Sequence, residues 1–186
     1  MRGRATIPTN RDLDRDSTPR VMIYDYHQDD PRKCTSARLE KLHLVESLRS
    51  LQQIPRSAIV LDPISNKTIS FEDRSAIDQY GLVGLDCSWN RAETVFEENI
   101  RGEHRRLPTL LAGNPTNYSI RGRLSTAEAL SAALMIVGFD KRALQLLAVF
   151  KWGETFLTLN RDPLREYAKT PAQLMLSCER EFFPTE

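Results

Sequence analysis

The sequence predicts an α/β fold built round a parallel sheet. Three observations carry this. Short apolar, strand-like runs alternate with helix-patterned stretches through the first half. The second half is mainly helical after one more strand. Glycine, proline and Ser/Thr capping residues stand at the joints between these stretches. At 186 residues the chain can build one compact core, or two small lobes that share one.

Residues 1–20 carry Arg2, Arg4, Arg11, Arg15 and Arg20 against Asp12, Asp14 and Asp16, with few large apolar groups, and read as an irregular arm. Val21 to Tyr24 is an apolar strand-like run, followed by a polar loop from Asp25 to Thr35. Leu39, Leu42, Val45, Leu48 and Leu51 recur at near-helical spacing and predict one amphipathic helix ending before Pro55. Ala58 to Leu61 is a second strand, closed by Asp62-Pro63. Ser70 opens a helix, with Asp73 three residues on as a capping box, and Gly81 stops it. Leu82 to Leu85 is a third strand that runs into Asp86-Cys87-Ser88-Trp89.

The pattern then changes. Residues 91–106 are mostly charged and polar, and Arg106 to Tyr118 is apolar but broken by Pro108 and Pro115. Ser125-Thr126-Ala127-Glu128 is a capping box ahead of an apolar helix from Ala129 to Val137, which Gly138 ends. Lys141 to Trp152 and Leu164 to Tyr167 are helical in pattern, and Thr170-Pro171 opens a last helix. The expected division is an arm over residues 1–20, an α/β lobe over 21–92 and a mainly helical lobe over 93–186.

Composition narrows the function classes. Apolar residues make up 40% and charged residues 27%, which excludes disorder along the whole chain. Three cysteines exclude a disulfide framework. No stretch reaches the roughly 18 apolar residues of a membrane helix, and the polar N-terminus lacks a signal peptide's apolar core, so a soluble, cytoplasmic protein is expected. The chain lacks G-x-G-x-x-G, a Walker loop, H-E-x-x-H and paired C-x-x-C motifs. His27, His43 and His104 are too scattered to define a metal site, and none is expected. His27, Asp29 and Asp30 read as a polar turn in preference to a hard-cation site.

Ligands in open α/β sheets bind beyond the carboxyl ends of the strands. Three polar loops leave such ends here: Asp25 to Thr35, Asp62-Pro63, and Asp86 to Trp89. If the strands are parallel neighbours, these loops converge. Trp89 beside Asp86 then suits a flat ring with a polar handle, and the plain alternative is a core tryptophan and a capping carboxylate.

The same loops carry a family likeness. The segments Asp25 to Thr35, Asp86 to Asn90, Arg106 to Tyr118, Leu124 to Leu130 and Phe150 to Asn160, in this order, resemble the small-subunit ribosomal RNA aminocarboxypropyltransferases. These are ribosome-biogenesis enzymes of archaea and eukaryotes, and the short chain is most similar to archaeal members. The likeness runs from about Val21 to about Tyr167. It implies a SPOUT-like α/β domain with a deep trefoil knot and a small N-terminal α/β lobe. It implies S-adenosylmethionine as cofactor, donating its 3-amino-3-carboxypropyl group to N3 of a modified uridine, usually an N1-methylated pseudouridine. The implied partner is small-subunit rRNA within a pre-ribosomal particle, met by a monomer away from membranes.

The resemblance also implies site residues. Asp86 matches an acidic position that would accept the N3 proton or orient the ring. Thr35 lies by the cofactor, and Trp89 forms the wall against the sulfonium methyl. Leu61, Pro63, Leu85, Leu107, Leu110, Leu111 and Leu124 fit an adenine slot. Backbone near Leu107 to Ala112 and Gly122 to Thr126, with Tyr118, Ser125 and Thr126, would read the adenine edge and ribose. After Tyr118 the sequence departs from the family, which usually has glycine followed by Arg-Pro where this chain has Ser119-Ile120-Arg121-Gly122-Arg123. Which residue of this loop touches ribose is therefore open. Glu128 reads as a cap, Trp152 as core, and Cys34 and Cys87 as no thiol nucleophile.

The net charge of +1 hides polarity. Between Arg101 and Arg123, five arginines (Arg101, Arg105, Arg106, Arg121, Arg123) face one acid, Glu103. With Arg32 and Lys33 they are the expected RNA-binding residues. Three other readings stay open: an RNA methyltransferase with the same cofactor, a non-catalytic RNA-binding assembly factor, and a metal-dependent nuclease using Asp29, Asp30 and Asp86.

Overall fold

The structure, a computed structural model, describes residues 18–26, 35–87 and 100–184. Trp89, Arg32, Lys33, Cys34 and the His27–Asp30 turn lie outside the described residues. Five strands, β1 (Val21–Asp25), β2 (Glu46–Ser47), β3 (Ile59–Leu61), β4 (Leu82–Asp86) and β5 (Glu103–Arg105), form one sheet in the order β2-β1-β4-β3-β5. Every pairing is parallel, as the alternating sequence pattern predicts. β1 and β4 pair along their whole length, from Val21 opposite Leu82 to Asp25 opposite Asp86.

Successive strand residues point to opposite faces, and both faces are covered. Val21, Ile23, Ile59, Leu61 and Leu82 join the large helical core, whereas Met22, Val60 and Val83 join a smaller one with Leu48, Ile54 and Ile100. The helices are α1 (Thr35–Lys41), α2 (Arg74–Tyr80), α3 (Thr126–Ile136), α4 (Asp140–Leu147), α5 (Gly153–Leu159), α6 (Arg161–Tyr167) and α7 (Met175–Phe182). The last is preceded by a 3-10 turn at Ala172–Leu174, so the helix expected at Thr170-Pro171 begins as a tighter coil. α3 is apolar on nearly every side, with Leu130, Ala132, Ala133, Leu134 and Ile136 all fully buried, because sheet and helices enclose it. It packs so closely on β4 that a Cβ at Gly84 would stand 3.2 Å from Leu130 and Thr126.

Two expectations are corrected. The helix predicted through Leu51 stops at Lys41. There the Leu44 N–H donates to the Leu39 carbonyl and the His43 N–H to the Glu40 carbonyl, with His43 at φ 53°. This is a Schellman stop in which histidine takes the left-handed position usually given to glycine, so no glycine announces it. The apolar residues beyond it serve different surfaces: Leu39 lies in the large core, Leu48 in the small one, and Leu42 is exposed. Second, the strand expected in the second half, β5, falls in the charged stretch before Arg106 and not in an apolar run. This polar edge strand is held by pairing to β3, which hydropathy does not register. The capping boxes at Ser70 and Ser125, and the stops at Gly81 and Gly138, are as predicted.

Glu128 does more than cap. Its Oε2 accepts from the Ser125 N–H at 2.7 Å, from the Ser125 hydroxyl at 2.8 Å and from the Asn114 amide at 2.7 Å. Its Oε1 accepts from the Gly113 N–H at 2.7 Å and the Asn114 N–H at 3.0 Å. The side chain is fully buried. Fully buried Asn160 holds the same segment from the other side: Oδ1 accepts from the Leu111 N–H and Nδ2 donates to the Leu111 carbonyl, both at 2.8 Å. Each buried donor left without a partner costs about 1–3 kcal/mol. Glu128→Ala should therefore lower the unfolding free energy by at least roughly 3 kcal/mol in urea titration. A loss under about 1 kcal/mol would show that the loop holds without it.

Candidate functional site

The carboxyl ends of β3 and β4 open into a cleft of about 360 Å³. Leu61, Asp62 and Pro63 form one wall, and Gly84, Leu85 and Cys87 the next. Arg106 to Thr109 close a third side, and Gly122, Leu124, Ser125, Thr126 and Ala129 a fourth. Glu179 reaches in from α7. The lining is apolar with a few convergent polar groups, as small-molecule sites are.

The structure brings Leu61, Pro63, Leu85, Leu107, Gly122, Leu124, Ser125 and Thr126 of the expected cofactor residues together on this cleft. Thr35 stands at the start of α1, where its hydroxyl accepts the Ala127 N–H at 3.4 Å and so touches the start of α3. Leu110 is wholly buried behind the wall. Leu111 is tied to Asn160, Ala112 pairs through its N–H and carbonyl with Ile120 and Ser119, and Gly113 is bound to Glu128. These bonds engage both main-chain groups of Leu111 and Ala112 and the N–H of Gly113. Tyr118 is not on the cleft and is 59% exposed.

Asp86 ends β4 between two residues that line the cleft, Leu85 and Cys87. The Thr126 hydroxyl donates to its Oδ1 at 2.7 Å, and the Ser36 hydroxyl donates to its Oδ2. The carboxylate thus joins the sheet to the first turns of α1 and α3, with its orientation set by two hydroxyls.

Three side-chain pairings in and behind the site carried no sequence signal. Asp62 accepts the Ile64 N–H at Oδ1, and its Oδ2 lies 2.7 Å from His104 Nδ1. The other ring nitrogen of His104 lies 2.9 Å from the Ile100 carbonyl, an acceptor only, so it carries a proton. The bond to Asp62 raises the His104 pKa above 6.5, against the opposing effect of burial. Glu179 accepts from Arg106 at 3.1 and 3.2 Å, from the Thr109 N–H at 2.9 Å and from the Thr109 hydroxyl. Tyr167 donates to the Thr109 carbonyl at 3.1 Å, and burial followed by the Glu179 charge pushes its phenol pKa up. Both main-chain groups of Thr109 are thereby fixed by residues 58 and 70 positions away.

The expected RNA-binding arginines separate in space. Arg101 precedes β5, at the amino end of the parallel strands and away from the cleft at their carboxyl ends, and donates to the Gln52 carbonyl. Arg105 pairs with Asp73 at 3.0 Å, and Arg106 pairs with Glu179. Arg121 and Arg123 are exposed and flank Gly122 at the cleft. Trp152 stacks on Phe150 at 4.7 Å against the large core, as expected for a core residue. Among the described residues no group of three His, Cys, Asp or Glu side chains gathers to hold a metal, and no helix is long and apolar enough to cross a membrane.

Residues 59–183 match the family described as "Ribosome biogenesis protein, C-terminal". A second match, over residues 19–53, is to "Possible Fer4-like domain in RNase L inhibitor, RLI". Cys34 is the only cysteine of that stretch, so it lacks the four thiolates of an iron–sulfur cluster. Proteins named 16S rRNA aminocarboxypropyltransferase are similar over most of the chain. That of Sulfurisphaera tokodaii is 42% identical over 87% of this chain and 94% of its own length. That of Methanosphaera stadtmanae is 44% identical over 81% and 88%. A solved structure, the SAM-dependent rRNA:acp-transferase Tsr3 from Vulcanisaeta distributa, matches with a TM-score of 0.82 and 41% identity, covering 88% of each chain.

His104 lends the site a pH signature. Because folding raises its pKa, its pairing with Asp62 contributes fully below about pH 6.5 and is lost as pH climbs through the raised value. The stability gap between wild type and His104→Gln should be widest near pH 6 and narrow by about pH 9. Thermal melts across that range check it, and a gap that grows with pH would reverse the assignment.

Proposed function

The chain belongs to the ribosome biogenesis family that contains the 16S rRNA aminocarboxypropyltransferases, and on that premise we propose that it transfers the 3-amino-3-carboxypropyl group of S-adenosylmethionine to N3 of a modified uridine in small-subunit rRNA. N1-methylpseudouridine or a close analogue is the expected base. The observation that carries the reading is the cleft itself. Eight residues singled out for cofactor contact on resemblance alone line one cavity at the carboxyl edge of a parallel sheet, where this fold class binds nucleotides.

The cleft fits the cofactor on chemical grounds. Leu61, Leu85, Leu107 and Leu124 supply apolar surface for a purine, and the Ser125 and Thr126 region supplies polar groups at one end. When bound, S-adenosylmethionine supplies an electrophilic sulfonium, whose aminocarboxypropyl carbon is attacked by N3 while methylthioadenosine leaves. A sulfonium carries three activated carbons, so the product depends on which one the walls expose. Thr35 and Thr126 stand near Asp86 at the end where the reacting chain would lie. Trp89, three residues beyond Asp86, is assigned the methyl wall.

Asp86 is the acidic group next to this end. Ser36 donates to one of its oxygens and Thr126 to the other, which sets its direction. In this reading it orients the uridine and favours departure of the N3 proton. The SPOUT-type knot belongs to the same proposal. It is supported by the passage of residues 106–122 between α3, through Glu128, and α5, where a Cβ on Gly113 would meet the Phe156 backbone at 2.5 Å.

Incubation with 16S rRNA and labelled cofactor, followed by nucleoside mass spectrometry, should yield an aminocarboxypropyl adduct on one uridine. A methyl adduct would favour the methyltransferase reading, and no cofactor binding in calorimetry would favour an assembly factor. Asp86→Ala should lower the transfer rate about 10²-fold or more, with a much smaller change in cofactor affinity. Normal turnover in that variant would remove Asp86 from the reaction. Trp89→Ala should weaken cofactor binding in a folded protein.

A further inference from the structure

The chain that leaves the cleft after Thr109 and returns to it at Gly122 folds into a hairpin. Leu111 and Arg121 form an antiparallel bridge. The Ala112 N–H donates to the Ile120 carbonyl, the Ser119 N–H to the Ala112 carbonyl, and the Gly122 N–H to the Leu110 carbonyl. The turn closes with the Ile120 N–H on the Asn117 carbonyl and the Asn117 N–H on the Asn114 side chain, which Glu128 in turn holds. Ser119 adopts φ 62° to make this turn. The backbone of the tip is therefore preset.

This rigid tip aims large apolar groups outward. Tyr118 is 59% and Ile120 48% exposed. Next to them Arg121 and Arg123 are exposed on either side of Gly122, a residue of the cleft wall, so both cations stand at its rim. The Arg121 guanidinium lies 5.4 Å from the Phe183 ring and donates to the Pro184 carbonyl at 3.4 Å, and these two contacts steady it. No acidic residue occurs from Pro115 to Ala127. An exposed aromatic next to two exposed cations is complementary to nucleic acid, because every base offers a face to stack and every nucleotide a phosphate.

We propose that the Tyr118–Arg123 hairpin tip is the RNA-docking edge of the site, with Tyr118 stacking on a base beside the modified nucleotide, Ile120 packing alongside, and Arg121 and Arg123 holding phosphates at the cleft rim. This rests on the function proposed above. It gives Tyr118, which the resemblance alone assigns to the cofactor, to the RNA.

The test uses the full chain, filter binding of transcribed 16S rRNA, and calorimetry with S-adenosylmethionine. Tyr118→Ala should weaken RNA binding about 5- to 150-fold, with Tyr118→Phe near wild type and cofactor affinity within about twofold for both. Arg121→Ala should weaken RNA binding and reduce the salt dependence by about one unit of slope. Ile120→Ser, also exposed, should weaken RNA binding in a normally folded protein. Wild-type transfer with unchanged RNA affinity in Tyr118→Ala and Ile120→Ser would overturn this inference alone. Loss of cofactor affinity in Tyr118→Ala would overturn it in favour of the cofactor contact. A concentration-dependent dimer abolished by Tyr118→Ala would overturn it in favour of a second copy of the chain. Failure of the wild type to bind or modify the RNA would overturn the proposed function, and this inference with it.

Discussion

One buried carboxylate holds the candidate site in shape. Glu128 takes five hydrogen bonds, two from the first turn of its own helix and three from Gly113 and Asn114. A carboxylate stripped of water is costly unless its lone pairs are filled, and here donors from two distant segments fill them. The start of α3 is thus tied to the loop that forms another cleft wall. Thr126, next to Ser125, reaches Asp86 at the end of β4, so the tie extends into the sheet. The Leu111–Arg121 hairpin hangs from the same point through Asn114.

The other charges around the cleft follow the same rule. Asp62 is held by His104, and Arg106 by Glu179. These pairs leave little net charge to attract ligand, but they orient the walls before a ligand arrives. A preset cleft saves the ordering cost that flexible walls would add to binding. Thr109 shows how far this goes: α6 grips its carbonyl, and α7 its N–H and hydroxyl. Substitutions near the C-terminus should therefore be felt at the cleft, since α7 acts on it through Glu179.

The arginines illustrate how spatial arrangement edits a sequence count. Five of them against one acid along residues 101–123 reads as a continuous basic band. Folding leaves Arg101 at the amino end of the strands, away from the cleft, and pairs Arg105 with Asp73 and Arg106 with Glu179, acids from other segments. Arg121 and Arg123 stay exposed at the cleft rim.

The sequence by itself determined what is written in short-range spacing. The parallel α/β class, three central strands, the capping boxes at Ser70 and Ser125 and the glycine stops all rest on neighbours within four residues, where sequence and geometry correspond directly. The family resemblance added the positions of the cleft wall. Tertiary structure alone decided the rest. The end of α1 at Lys41 depends on a left-handed histidine that no spacing marks, and β5 exists because β3 lends it partners. Glu128 is legible as a cap from Ser125, yet its bonds to Gly113 and Asn114 span 15 and 14 residues. His104 meets Asp62 across 42 residues, and Glu179 meets Thr109 across 70. Such pairs form because a folded interior leaves polar groups no water to bond, so they must find each other across the chain. That constraint acts only once the interior exists.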